Sequence, residues 1–333
     1  MNARVGLDIG GTKTAALVVD DAGRALGEVV QPTDVSAPER LVAGVVATVD
    51  EALALAGATR LDLAAAGVGV PGQVDTLTGT VSMAVNLNLR APYPLRDALQ
   101  SALGVPVTLE NDVRTAAWGA YHRANAVRPI ASLAYLSIGT GIAAGLVLGG
   151  RLYRGAGGMA GEIGHIPMDP SGPRCVCGSF GCLEAFAAGP AIAAHAAELR
   201  LVAGDGSPLT TGQVYTLAAQ GDATAGRVIA RASAFLARAV YLLVMTYDVE
   251  QVVLGGGVTR AGTAFEQPLR RALAALRADS PLAAAMLPDE KIVVPADFNA
   301  GVVGAVYLAE AEGLPLAARR YVRDQETVAH QVN

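Results

Sequence analysis

The sequence predicts an α/β protein built from a duplicated unit, as two α/β domains with a cleft between them. Three observations carry that prediction. The chain has 333 residues, too many for one ordinary domain and suited to two. It opens on a strand–turn–strand pattern, Val5 to Val19 about Gly10-Gly11-Thr12. The pattern restarts in mid-chain, Ala131 to Leu148 about Gly139-Thr140-Gly141, in the same order and spacing.

The elements follow in order. Val5, Leu7 and Ile9 alternate as in a strand; Ala15 to Val19 is a second strand and Leu26 to Val30 a third. Ser36-Ala37-Pro38-Glu39 has the spacing of a capping box, and Leu41, Val42, Val45, Val46, Val49 and Leu53 follow at helical spacing. Leu63 to Val70 is a small-residue strand, and Leu95 to Leu103 a short helix stopped by Gly104. Val105 to Leu109 is a strand that delivers Glu110-Asn111-Asp112 at its end, ahead of a helix from Val113 to Ala124. After the second hairpin come a loop-rich segment, 150–182, and then helices, the longest from Ala223 to Tyr247. Val252 to Leu254 is a strand that meets Gly255-Gly256-Gly257, and Ile292 to Val294 is the last strand. A closing helix within 300–315 is expected to pack on the first domain. The expected division is a small domain over 1–115, a large one over 116–299 carrying a metal-stabilised loop at 160–184, and a polar tail over 316–333.

Composition excludes several function classes. Residues of the AVILMFWYC set make up 52% and charged residues 17%, which is apolar enough to fill real cores. Lysine plus arginine total 25 against 30 acidic residues, a net −5 with no basic run, so nothing favours nucleic acid as a partner. The uncharged stretch Pro129 to Gly150 has the length of a membrane span, but five glycines, Ser132, Ser137 and Thr140 interrupt it. It reads as two buried strands about a turn. Met1 to Arg4 lead directly into a segment carrying Asp8 and Lys13, unlike a secretory leader. The expectation is a cytoplasmic protein with no membrane partner.

Three glycine turns follow apolar strands: Gly10-Gly11-Thr12-Lys13, Gly139-Thr140-Gly141 and Gly255-Gly256-Gly257. Glycine lets the backbone approach a phosphate, whose oxygens then accept from backbone amides, and threonine adds a hydroxyl donor. Each alone reads equally as a tight turn; three together favour nucleotide binding. None is a Walker-type G-x-x-x-x-G-K-S/T loop. Gly67-Val68-Gly69-Val70-Pro71-Gly72 matches the dinucleotide pattern in letters only, because Pro71-Gly72 leads into Gln73-Val74-Asp75, a strand where that motif needs a helix.

All three cysteines, Cys175, Cys177 and Cys182, lie in one loop. With His165 they offer one imidazole and three thiolates, the donor set of a closed, structural tetrahedral zinc site. His165 is the member that spacing alone supports least. The remaining histidines, His122, His195 and His330, read as surface or packing residues. Among the carboxylates, Asp112 stands at a strand end, where side chains of α/β folds reach ligands. It reads either as the cap of the following helix or as a base that takes the proton of an alcohol during phosphoryl transfer. Asp8 is a candidate to hold magnesium, directly or through water. Glu162, His165 and Glu184 cluster near the cysteine loop and suit recognition of neighbouring hydroxyls.

Asp8-Ile9-Gly10-Gly11-Thr12-Lys13, Glu110-Asn111-Asp112, Gly139-Thr140-Gly141, Gly161-Glu162-Ile163-Gly164-His165 and Cys175-x-Cys177-Gly178-x-x-Gly181-Cys182-x-Glu184 occur in this order. Together they resemble the ROK family (repressors, open reading frames, kinases), and within it the bacterial glucokinase-like sugar kinases, over roughly 4–315. The resemblance implies an actin-like, hexokinase-like ATPase fold. It implies transfer of the ATP γ-phosphoryl, with Mg2+, to a sugar hydroxyl, usually the 6-hydroxyl of a hexose. Glucose is the first choice, with N-acetylmannosamine, N-acetylglucosamine, fructose and allose as alternatives. Carried over by position, Asp112 is the catalytic base and also touches the sugar. Asn111, Glu162, His165 and Glu184 are sugar-binding, as is Asn88 in preference to Asn86. His165 serves zinc, sugar or both, since an imidazole has two nitrogens. Asp8, Gly10, Gly11, Thr12, Lys13, Thr140, Gly141, Gly255, Gly256 and Gly257 fall at ATP-binding positions. A homodimer or homotetramer is expected. Two departures stand out: Ala143-Ala144 follow the second turn where glycine is commoner, and Leu89-Arg90 stand where an aromatic is common, which leaves the sugar open. Family members that repress transcription carry a helix-turn-helix ahead of the first glycine turn, and only seven residues precede Asp8 here.

Overall fold

A computed structural model describes residues 2–296 and 298–310. The polar tail, His330 and the closing helix beyond 310 lie outside the described residues. The chain divides into two compact units. The first comprises residues through Ala131, Gly150–Ala160 and the described residues from Asn299; the second comprises Ser132–Gly149 and Gly161–Phe298.

The first unit begins with β1 (Ala3–Ile9) and β2 (Lys13–Val19), an antiparallel pair with Asp8 opposite Ala15. β3 (Ala25–Pro32) extends it, and α1 (Pro38–Leu55) lays Leu41, Val45, Val49 and Leu53 into the core. The capping box expected at Ser36 does not form. Ala37 is the N-cap, Pro38 opens the helix, and the Ser36 hydroxyl donates to Asp34 Oδ1 at 2.5 Å instead. β4 (Leu63–Val70) runs parallel to β1. Gly72, at φ 99°, then turns the chain into the hairpin β5 (Gln73–Asp75) and β6 (Thr80–Ser82), so no helix follows the G-x-G-x-x-G letters. α2 (Leu95–Leu103) ends at Gly104, and β7 (Val107–Asn111) leads without a break into α3 (Asp112–Val127). The sheet order is β3-β2-β1-β4-β7.

In the second unit β8 (Leu133–Ile138) and β9 (Ile142–Leu148) pair antiparallel, which makes the uncharged stretch 129–150 a hairpin. The short β10 (Arg151–Tyr153) belongs to the segment counted with the first unit. Then come α4 (Glu184–Ala187), α5 (Gly189–Glu198), α6 (Thr211–Ala219) and α7 (Ala223–Tyr247). β11 (Gln251–Gly255), α8 (Thr263–Asp279), α9 (Pro281–Met286) and β12 (Ile292–Val293) complete it. β8, β11 and β12 are parallel. The run β9-β8-β11-β12 therefore repeats β2-β1-β4-β7: an antiparallel partner, a first strand, then two parallel strands. The duplication read from two short turns is real at the level of topology.

α7 is long and apolar enough to cross a bilayer, yet 56% of its most apolar window is buried inside the fold. Leu236, Val240, Leu243 and Val244 are fully buried members of the second unit's core. The closing helix, α10 (Ala300–Glu310), lies on β1, β4 and α3. Two glycines permit the approach: a Cβ at Gly67 would strike the Ala305 carbonyl, and one at Gly304 the Thr115 carbonyl.

Candidate active-site residues in each unit

In the first unit the parallel strands end at a group of polar residues. Asn111 is the last residue of β7 and still extended, at φ −63° and ψ 143°. Its Oδ1 accepts from the amides of Val113 at 3.0 Å and Arg114 at 3.2 Å. Asn111, and not Asp112, is therefore the N-cap of α3, because the cap must be the last non-helical residue. Asp112 is the first helical residue. Its Oδ1 accepts from Val113 N at 2.9 Å and from Asn111 Nδ2 at 3.0 Å. Burial raises its pKa above the usual carboxylate range, against the opposing pull of the Val113 amide, Arg114 and Asn111.

Asp8 stands near the end of β1 and is pushed up to about 7, first by burial and then by the Asp112 charge. Two neighbouring carboxyls of this kind resist simultaneous ionisation unless a cation shares the space. An oxygen-only donor such as Asp8 suits a hard divalent ion of the magnesium class. Gly301 makes room for it: a Cβ there would lie 2.6 Å from Asp8 Oδ2.

The first glycine turn is closed by Gly10 N donating to the Lys13 carbonyl at 2.9 Å, and it leaves Thr12 and Lys13 exposed. Asn86 packs against this turn, since a Cβ at Gly11 would meet the Asn86 carbonyl at 2.5 Å. Asn88 has the left-handed conformation, φ 56°, and its amide donates to the Val35 carbonyl at 3.4 Å.

In the second unit the other two turns meet. Gly139 N donates to the Gly141 carbonyl at 2.9 Å, and the Gly139 carbonyl accepts from Gly189 N at 2.8 Å. Thr211 Oγ1 in turn donates to the Gly189 carbonyl at 2.7 Å. Gly256, at φ 95°, runs so close to Ile138 that a Cβ would strike its carbonyl. Around these lies an open cavity of about 1110 Å³ lined by Gly139, Thr140, Gly257, Thr211, Gln220 and Arg260 among others. Its size suits a nucleotide. Two helix N-termini, those of α5 and α6, open on it and favour negative charge. Of the predicted residues, Thr140 and Gly257 line the cavity. Gly255 instead packs behind it, on Tyr135.

The sequence reading missed Gly189, Thr211, Gln220 and Arg260. One signal for them was present: Thr210 and Gln213 form a full capping box, which marks the start of α6.

Glu162 is exposed and precedes a short 3-10 turn, Ile163–His165, that sits tightly on β9: a Cβ at Gly161 would strike the Ala144 carbonyl and one at Gly164 that of Ile142. Glu184 Oε2 accepts from Ile142 N at 2.9 Å, and a Cβ at Gly141 would meet that oxygen at 2.5 Å. The second glycine turn and Glu184 are thus built as one piece.

The metal-ligand candidates do come together. One donor atom from each of His165, Cys175, Cys177 and Cys182 falls within 4.8 Å of every other. His165 Nδ1 lies 3.6 Å from Cys175 Sγ, and Cys177 Sγ lies 3.7 Å from Cys182 Sγ. A tetrahedral zinc with Zn–S of about 2.3 Å and Zn–N of about 2.0–2.1 Å requires S–S and N–S edges of about 3.8 and 3.6 Å. Burial, and then the neighbouring thiols, push Cys182 up to about 12, and a bound metal cation would draw it toward the thiolate form. Nδ1 is the His165 atom that faces the cluster, which leaves Nε2 outside it. Of the other histidines, His122 stacks on Tyr307 at 3.8 Å, and His195 lies 3.2 Å from Glu198 Oε2.

The model of the ROK family matches residues 4–312. A glucokinase of Streptomyces coelicolor is 32% identical over 283 residues, 81% of this chain and 87% of that protein. An N-acetylmannosamine kinase of Yersinia pseudotuberculosis is 34% identical over 261 residues, 78% of this chain and 84% of its own. Among solved structures, a ROK family glucokinase from Streptomyces griseus, in complex with glucose and AMPPNP, superposes with a TM-score of 0.74 at 33% identity, over 93% of this chain and 99% of that one.

Proposed function

The chain belongs to the ROK family, and on that premise we propose that it is an ATP-dependent sugar kinase that phosphorylates a hexose, with glucose as first substrate and the 6-hydroxyl as acceptor. The observation that carries the reading is Asp112: a carboxylate at the end of a parallel strand, oriented by Asn111 and Val113 N, with a pKa raised by burial. A raised pKa makes a carboxylate a better proton acceptor, which is what the attacking hydroxyl needs late in phosphoryl transfer.

The remaining residues take roles around that base. Asp112 holds the sugar hydroxyl and accepts its proton. Glu162, His165 through Nε2, Glu184 and Asn111 recognise the other hydroxyls, with an asparagine of the 86–88 turn, Asn88 in preference to Asn86. Thr140, Gly257 and the cavity around them take the nucleotide, whose phosphates are met by glycine amides and the helix N-termini. The Gly10–Lys13 turn adds a second set of amides. Magnesium, when bound, would neutralise phosphate charge, and Asp8 would be the residue that holds it. Zinc in the Cys3His cluster is structural, since four protein donors leave no open position. Thiolate–zinc chemistry and a need for ATP both suit the cytoplasm.

The two curated relatives act on different sugars by name while differing little in identity to this chain. N-acetylmannosamine is therefore the second reading. The test is sugar-dependent ADP release from pure protein with ATP, magnesium and a panel headed by these two sugars. The expected result is release with one or both, and no release above the sugar-free rate with any member would overturn the proposal.

A further inference from the structure

The phosphoryl-transfer reading gives no task to Glu110, the residue that opens the Glu110-Asn111-Asp112 run. Glu110 is fully buried, where a carboxylate is costly unless each oxygen is paired. Both are. Oε1 accepts from Arg114 Nε at 2.7 Å and from the Asn111 amide at 2.8 Å, and Oε2 accepts from Arg154 Nε at 2.6 Å. Arg114, itself buried, extends Nη1 to the Gly158 carbonyl at 2.8 Å. One carboxylate thus ties together the end of β7, the first turn of α3 and the segment 150–160, all within the first unit.

These bonds bracket Asp112 in the chain. The Asn111 amide, on its N-terminal side, is held by Glu110 Oε1. Arg114, two residues after Asp112, is held by the same oxygen. Asn111 then passes that constraint to the Asp112 carboxylate through Nδ2. Arg154 differs from the other members. Its side chain is 44% exposed, it comes from outside both β7 and α3, and its loss leaves Glu110 paired with Arg114.

We propose that Glu110 and Arg154 are positioning residues for Asp112, the arginine clamping the buried carboxylate that sets the direction of the Asn111–Asp112 corner. The kinetic side of this inference rests on the sugar-kinase reading; the geometric side stands without it. Small misplacements of a reacting group cost on the order of 10²-fold in rate, so a positioning role should be visible in kcat while substrate affinities hold.

The experiment compares wild type, Arg154→Met and Arg154→Lys in the full chain. Arg154→Met is expected to lower kcat by roughly 10- to 100-fold, with sugar and ATP KM within about threefold of wild type. Arg154→Lys, which keeps the charge and loses the planar fork, should recover part of that loss. The thermal midpoint of Arg154→Met should fall by only a few degrees, about 5 °C or less, because Oε2 loses its partner while Arg114 and the Asn111 amide still hold Oε1. Backbone amide exchange at Asn111 and Val113, measured without ligands, should quicken by about tenfold or more in Arg154→Met. Unchanged kcat together with unchanged exchange overturns the proposal. So does a rise in KM alone, which would make Arg154 a substrate contact, or a loss of kcat that merely follows a collapse of the thermal midpoint. If wild type phosphorylates no sugar, the kinase reading falls by itself, and the exchange measurement decides the positioning.

Discussion

Asn111 Nδ2 donates to Asp112 Oδ1 at 3.0 Å while the Oδ1 of Asn111 caps α3. The residue that starts the helix therefore also aims the carboxylate that follows it. Both described bonds to Asp112 end on the same oxygen, Oδ1, the second coming from Val113 N.

That arrangement makes Asp112→Asn an informative change. The variant keeps the shape and removes the carboxylate proposed as proton acceptor. Its kcat should fall by about 10²- to 10⁴-fold with sugar KM little changed. Steady-state kinetics on the sugar that wild type prefers is the check, and turnover comparable to wild type would take Asp112 out of the role.

The neighbouring acid predicts a pH dependence of stability. Asp8 rises from 3.8 to about 7 in the folded chain. A carboxyl raised in this way binds its proton more tightly folded than unfolded. Its contribution is fully present below 3.8 and is lost as pH rises toward about 7. Asp8→Asn cannot ionise, so in magnesium-free buffer its thermal midpoint should exceed that of wild type by more at pH 8 than at pH 5. Magnesium should narrow the gap at pH 8 by stabilising wild type alone. Melting curves at the two pH values decide it; a difference independent of pH would refute the assignment.

The Cys3His cluster predicts about one zinc per chain by elemental analysis. Cys182 is fully buried, and Cys182→Ser should lose the metal and lower the thermal midpoint by roughly 5–10 °C. Carefully prepared wild-type protein that contains no zinc would sink the site.

Packing under α10 predicts a stability effect far from any proton or metal. Gly67→Ala places a methyl group against the Ala305 carbonyl and should cost about 1–3 kcal/mol. Gly104→Ala is the contrast. A Cβ there meets nothing within 4 Å, and its cost comes from the positive φ, 75°, alone. Denaturant unfolding of the two variants separates crowding from backbone strain.

Much of the fold was legible because its signals are local. α7 runs from Ala223 to Tyr247 as its apolar spacing predicts, after an Asp222 cap that accepts from Thr224 N and Ala225 N. The Pro71-Gly72 turn enters a strand because proline and a left-handed glycine end the previous one. Ser36 misled because two partners compete for a hydroxyl, and Asp34, two residues away, wins it. The candidate site was legible only where a motif carries its own chemistry. The cavity wall from α5 and α6 escaped notice, since Thr211 meets Gly189, and Gly189 meets Gly139, across 22 and 50 residues of chain.

Sequence alone determined the residue types and their local settings: glycine and threonine after apolar strands, three cysteines within eight positions, an acid at the end of a strand. Spacing along the chain suffices there, because turns, caps and metal loops close over a few residues. Tertiary structure decided what those residues do together. It made Asn111 the cap of α3, set the Asn86 backbone against the first turn, and gave the buried Glu110 two arginines, one of them 44 residues away. The physical reason is that such pairings answer to burial. A charge with no exposure must find every one of its partners inside the fold, and only the packed chain supplies them.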